Sequence, residues 1–197
     1  MRIPKLITNV VLLPTLLTGL ACTDLQATTL NNAPINVSAE VQSSVTLQLT
    51  VVDQQTGAEV SSLDFGELNR VGNQFLATKV FKVEARILTS GRPYELVQTS
   101  TPLARVGGSE VIPPTAFVSK PFYDASYNAG AALSPGARLG SSAPVGGSQR
   151  VLADPTGTAQ SVHILYSLST DPTAPAIPLN QKSGAYTGTV QYTLTTG

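Results

Sequence analysis

Charged residues make up only 12% of the 197 positions, the chain has one cysteine and one histidine, and no long apolar run follows its first 21 residues. Each shortage excludes something. Lys and Arg number 12, balance 12 Asp and Glu, and never cluster; counterion-release binding to nucleic acid requires clustered cations. With Cys22 alone, no intramolecular disulfide can form. With His163 alone, an HExxH site or any multi-histidine zinc set is impossible. A Ser-His-Asp triad would have to use His163, which falls on the polar parity of a strand, and no G-x-S-x-G elbow occurs. His163 therefore reads as an exposed sheet residue. Asp53, Asp64, Asp124, Asp154 and Asp171 are dispersed, and the last two precede proline, which is turn chemistry. No spacing argues for the carboxylate pair of a glycosidase. Gly-rich PVGGSQ lacks the strand-to-helix setting of a phosphate cradle. The sequence points away from an enzyme and from any cofactor or metal.

What is present begins with MRIPK, a basic start, followed by LITNVVLLPTLLTGLA. That run is short and interrupted for a membrane span, and with small residues at Gly19 and Ala21 it reads as a secretory signal over 1–21, cleavage falling as late as Ala27. Its removal takes away Arg2 and Lys5 and leaves 10 Lys and Arg against 12 Asp and Glu. Cys22 directly after the apolar run raises a second reading, lipid modification. Gly19, where such sites favour a large aliphatic residue, argues instead for a cysteine in or beside the discarded segment. The sequon Asn36-Val37-Ser38 matters only where exported proteins are glycosylated.

Period-two alternation dominates the rest. APINVSAEVQ places Ile35, Val37, Ala39 and Val41 on one side. VTLQLTV repeats the pattern through Val45, Leu47, Leu49 and Val51. SSLDFGEL reads as a strand in which Gly66 marks a bulge or close approach. KVFKVEARILT sets Phe81, Val83, Ala85 and Ile87 against Lys82, Glu84 and Arg86, the charges forming a solvated face. YELVQT and SVHILYSLS follow. No stretch has a helical face. Short alternating strands separated by turn residues predict an all-β, immunoglobulin-like antiparallel β-sandwich.

The domain so predicted spans 44–197, preceded by an extension at 28–43. Residues 100–148, rich in Pro, Gly, Ala and Ser, read mostly as a long insertion loop with at most a short edge strand near Ala116 to Val118. Within it, FYDASY gathers Phe122, Tyr123 and Tyr127. These suit either a glycan-stacking platform or, as the plainer reading, aromatic anchors holding the loop on the sandwich.

The final segment, GAYTGTVQYTLTTG, alternates through Tyr186, Gly188, Val190, Tyr192 and Leu194. A terminal strand with an apolar inner parity requires a neighbour on each side, and strand addition is a recognised binding mode. INVSAEVQSSVTLQL resembles the mature N-terminus of major subunits of chaperone–usher fimbriae of the alternate-chaperone, colonisation-factor type. GAYTGTVQYTLTTG resembles the end of such subunits: Leu194, Tyr192 and Val190 stand four, six and eight from the end and Gly184 fourteen, although Thr196 replaces the aromatic many of them carry. LDFGEL is similar to an L-x-F-G pattern of spore-coat-U-type secreted sandwich proteins. Together these cover about 45 residues, the middle of the chain being unmatched.

The resemblance implies a pilin-like incomplete sandwich on the bacterial surface. Residues 35–41 would be a donor strand, and the strand carrying Gly184, Tyr186, Gly188, Val190, Tyr192 and Leu194 would border the acceptor groove. The implied partners are a periplasmic chaperone, an outer-membrane usher and further copies of the chain. Two alternatives stay open: a self-complete secreted or lipid-anchored surface sandwich, and a carbohydrate-binding module whose partner is a host or surface glycan.

Overall fold

Alternating apolar residues become pleated sheet through most of the chain, and the exceptions carry the interest. The computed structural model describes residues 44–170 and 177–197, all within the unit Glu40–Gly197. The predicted signal, Cys22 and the segment 35–41 lie outside the described residues.

The first half contains β1 (Val45–Asp53), β2 (Glu59–Val60), β3 (Asn69–Val71), β4 (Gln74–Leu76), β5 (Val80–Thr89), β6 (Tyr94–Ser100) and β7 (Ala104–Arg105). The second contains β8 (Phe117–Phe122), β9 (Arg138–Leu139), β10 (Ala143–Pro144), β11 (Ser148–Asp154), β12 (Gln160–Leu168), β13 (Ile177–Pro178), β14 (Tyr186–Thr187) and β15 (Val190–Thr196). The only helical turns among the described residues are 3₁₀, at Pro114–Ala116 and Ala125–Asn128.

A six-stranded sheet ordered β10-β8-β12-β5-β1-β2 faces a four-stranded one ordered β15-β6-β11-β9, and every pairing is antiparallel. This is an all-β sandwich. Two small sheets, β13-β4-β3 and β14-β7, complete the strand pairing among the described residues. The core comes from the predicted inner parities: Phe81, Val83, Ala85 and Ile87 of β5, and Val162, Ile164, Tyr166 and Leu168 of β12, all buried. The larger aliphatic and aromatic side chains among them each contribute roughly 1.5–3 kcal/mol relative to exposure. Alternation fails at Val151-Leu152, both fully buried, because a bulge between Arg150 and Leu152 turns two successive side chains inward.

Three sequence expectations give way. SSLDFGEL is not a strand: Asp64 Oδ1 accepts from the Gly66 N–H at 2.9 Å, and the resulting bend drives Phe65 into the core. There it packs edge-on against Phe81 and Phe117, with centroids 5.1 and 5.4 Å away. Within 100–148, the short edge strand expected near Ala116 to Val118 is instead the six-residue β8, which lies inside the six-stranded sheet between β12 and β10. Its inner positions are Phe117, Ser119 and Pro121, so a buried serine hides the alternation. Ser119 is tolerated there because it donates to Gln149 Oε1 at 2.7 Å. Pro121 falls beyond the two residues that β10 covers, where β8 is an edge and a missing N–H costs little.

The final segment is two strands rather than one. β14 pairs with β7, and β15 with β6. Between them the chain bends at Gly188, where a Cβ would lie 3.0 Å from the Pro102 carbonyl oxygen and 3.1 Å from that of Thr101. A side chain at this point would force the two segments apart.

Candidate functional site: a groove between two strand edges

One side of the sandwich is bordered by two incompletely paired edges. On β1, β2 covers only Val51 and Val52, so the outer edge of Val45 to Thr50 has no strand partner among the described residues. On the facing sheet, β15 has one neighbour among the described residues, β6. The inward side chains of both edges are correspondingly under-buried. Leu49 is 45% exposed, and Val45, Leu47, Val51, Val190, Tyr192 and Leu194 are half-buried, whereas their neighbours across the ladder, Ile87, Ala85 and Leu96, are fully buried.

Between the edges lies a groove of about 490 Å³. Its walls include Leu49 and Val51 on one side and Val190 and Tyr192 on the other, with Leu63 and Phe65 from the LDFGEL bend. Tyr186 and Gly188 lie at one end of it. The expected acceptor residues are therefore only partly gathered: Tyr186, Gly188, Val190 and Tyr192 line the groove. Leu194 lies farther along β15, opposite Leu96, and Gly184 is a turn residue packed on Arg105. The β1 wall and the Phe65 bend went unanticipated.

Behind Tyr192, a buried polar network runs into the core. Tyr166 Oη gives its proton to Gln98 Oε1 at 2.5 Å, so the 2.5 Å contact between the Tyr166 and Tyr192 hydroxyls is donated by Tyr192. Ser119 continues the chain to Gln149. Burial pushes both tyrosine hydroxyls well above their ordinary range, so they remain neutral donors. The network fixes the Tyr192 ring as a wall, since rotating it away would orphan a buried hydroxyl.

At the Tyr186 end, Glu110 ties β7 to the segment that leads into β14. It pairs with Arg105 at 3.2 Å and with Lys182. The Lys182 hydrogen bond, with backbone and Arg105 help, holds the Glu110 carboxyl at about 2. A depressed carboxyl contributes stability that is present above its ordinary value near 4.5 and lost as pH falls through the folded value. Between about pH 5 and pH 2, the wild-type denaturation midpoint should fall more than that of Glu110→Gln, and added salt should narrow the difference. Parallel pH profiles would remove Glu110 as the clamp.

The FYDASY aromatics and His163 cluster on the opposite, outer face of the six-stranded sheet. His163 is 1% exposed, so the expectation of an exposed histidine fails. Phe122, half-buried, packs on its ring at 5.1 Å, and Tyr127 meets it edge to face at 4.3 Å. Lys82 is buried too, correcting the solvated charge face: its ammonium is 2.6 Å from Glu84, 3.0 Å from the Tyr127 hydroxyl and 4.6 Å from that ring's centre. Tyr123 donates to the Ala131 carbonyl at 2.9 Å. Phe122 and Tyr127 thus anchor the loop, while Tyr123 and Tyr127 border a small cleft of about 240 Å³.

Among the described residues, no three His, Cys, Asp or Glu side chains come together to hold a metal ion, and no helix is long and apolar enough to cross a membrane. The chain matches no protein-family model and no curated protein at a significant level.

Proposed function

We propose that this chain is a structural subunit, exported and assembled on the bacterial surface by strand addition, whose groove between β1 and β15 receives an alternating apolar strand. The observation that carries this reading is the pairing of two backbone edges, each without a full strand partner among the described residues, with half-exposed inward side chains along a single groove. An inserted strand would satisfy backbone donors and acceptors on both edges, and its apolar parity would cover Leu49, Val190 and Tyr192. Residues 35–41 supply such a parity in Ile35, Val37, Ala39 and Val41, each contributing about 1 to 3 kcal/mol when buried. The proposed occupant is that segment of another copy, a chaperone strand holding the groove beforehand and an usher ordering the exchange.

The test is the mass distribution of the exported full-length chain. Wild type is expected to form a ladder of multimers. Val37→Asp in the donor and Val190→Asp in the groove should each abolish it, because either buries a carboxylate without a partner. Multimers that persist in both variants would defeat the reading. A wild-type monomer destabilised by Val37→Asp would mean that the segment fills its own groove, the self-complete sandwich.

A further inference from the structure

The outer-face cluster around His163 has no part in strand addition, and its chemistry is unusual for a structural surface. We propose that residues 123–132 form a strap latched on the six-stranded sheet through Tyr127, and that taking up a proton on His163 releases it.

The geometry sets up the latch. His163 lies beneath Tyr127 and Phe122, and neither ring nitrogen has a hydrogen-bond partner among the described residues. A neutral imidazole under an aromatic cover leaves one donor and one acceptor unmatched; an imidazolium leaves two charged donors unmatched. The charged and titratable groups around it come from two elements. Strand β5 contributes the Lys82–Glu84 pair, and the strap contributes Asp124 and Tyr127. Strand β8 contributes only the apolar Phe122, paired directly across from His163. Burial and the Lys82 ammonium hold His163 below its ordinary value, and this outweighs the opposite pull of Glu84 and Asp124. Lys82 stays charged throughout: burial opposes this, but Glu84 and Tyr127 together raise its value.

The strap is otherwise held by few bonds. Asn128 exchanges two hydrogen bonds with the Ser161 backbone, at 2.7 and 3.0 Å, and the Tyr127 hydroxyl accepts one from the Lys82 ammonium. The remaining ties are internal, such as Asp124 accepting from Ser126. Lifting Tyr127 gives the histidine ring water on its outer side, and there the ring takes its proton at the ordinary value. The closed strap binds the proton more weakly than the open one, so acid favours opening. With one proton taken up per opening, the open-to-closed ratio rises about tenfold for each pH unit below roughly 6.5, until the depressed value of the closed form is reached. Carboxylates titrate lower, so the upper part of this window isolates the histidine.

The test uses the full chain without an added histidine tag, since His163 is then the single histidine resonance. Amide protection across 123–132, corrected for intrinsic exchange, is followed between about pH 7 and pH 5 alongside the His163 Cε1–H shift. The expected result is a slope near one proton for the strap and flat protection in the core of β5. His163→Phe, which retains an aromatic ring, should abolish the slope and leave the strap closed; His163→Gln serves the same purpose should the ring be too large. Tyr127→Ala should leave the strap open at both pH values. A slope that survives in the non-titrating variants overturns the proposal. So does a histidine that titrates at its ordinary value while strap protection stays constant.

Discussion

Replacing Asp154 by alanine is expected to cost about 3 kcal/mol and to lower the melting temperature by roughly 10 °C. Asp154 is 1% exposed, and both carboxylate oxygens are fully engaged. Oδ1 accepts from the Thr156 N–H at 2.8 Å, the Thr156 hydroxyl at 2.7 Å and Ser134 at 3.2 Å. Oδ2 accepts from the Thr158 N–H at 3.2 Å and the Gln160 amide at 2.8 Å. Burial opposes ionisation, yet these donors outweigh it and keep the carboxyl below its ordinary value. The DPTG turn wraps this carboxylate between β11 and β12, and Gly157 completes it at φ +68, where a Cβ would strike the Arg92 carbonyl. Gln160 and Thr158 pass the constraint on to Tyr94 in β6, joining the two sheets.

Alanine leaves several buried donors without an acceptor, which is why the loss exceeds that of one hydrogen bond. Asparagine should not restore it, because its amide would face the Thr158 or Gln160 donor. The sign of the pH dependence follows from the depressed carboxyl: its contribution is present above about pH 4 and is lost as pH falls through the folded value. The gap between wild type and Asp154→Ala should therefore narrow in acid. Urea denaturation at neutral and acid pH checks both statements, and a neutral-pH loss under about 1 kcal/mol would contradict this account of the turn.

The strand content was legible because it rests on alternation, which one-sided burial imposes directly: the inner parities of β5 and β12 are the core. What escaped was set by tertiary contacts. Strand β8 looked like at most a short edge strand because Ser119 and Pro121 hold inner positions, acceptable only beside Gln149 and beyond the end of β10. Phe65 looked like a strand residue because an Asx-type bend with an apolar tip has the same composition as a strand end. His163 and Lys82 looked wet because their parity is the outer one; Tyr127, arriving from 36 positions earlier in sequence than His163, covers both, with Phe122 beside it on the imidazole. For the groove, the β15 wall could be read from the final alternation. The β1 wall could not, because half-exposure of Leu49 depends on which strands fail to pair with it.

A chain beginning at residue 44 is expected to be stabilised by a peptide spanning 33–43, with the melting temperature rising about 10 °C when the peptide is present at a thousand times its dissociation constant. At that excess, binding to the folded state alone adds about 4 kcal/mol, and a domain of this size gains roughly 2–4 °C per kcal/mol. The groove dictates which changes matter. Its walls are apolar at Leu49, Val51, Val190 and Tyr192, so a carboxylate entering them would be desolvated without a partner. Val37→Asp in the peptide should remove the shift, whereas Ser38→Asp, on the opposite parity, should preserve most of it. Val190→Asp in the protein should remove it from the other side. Differential scanning calorimetry across a peptide titration reads all four. A truncated chain that melts at the same temperature with and without saturating peptide would rule out residues 35–41 as the occupant. A shift that ignores parity would mean that the peptide adds at a free edge through its backbone without entering the groove. Only a parity-dependent shift joins the half-exposed residues of β1 and β15 to the apolar face of 35–41, and that dependence separates a built acceptor site from an unprotected edge.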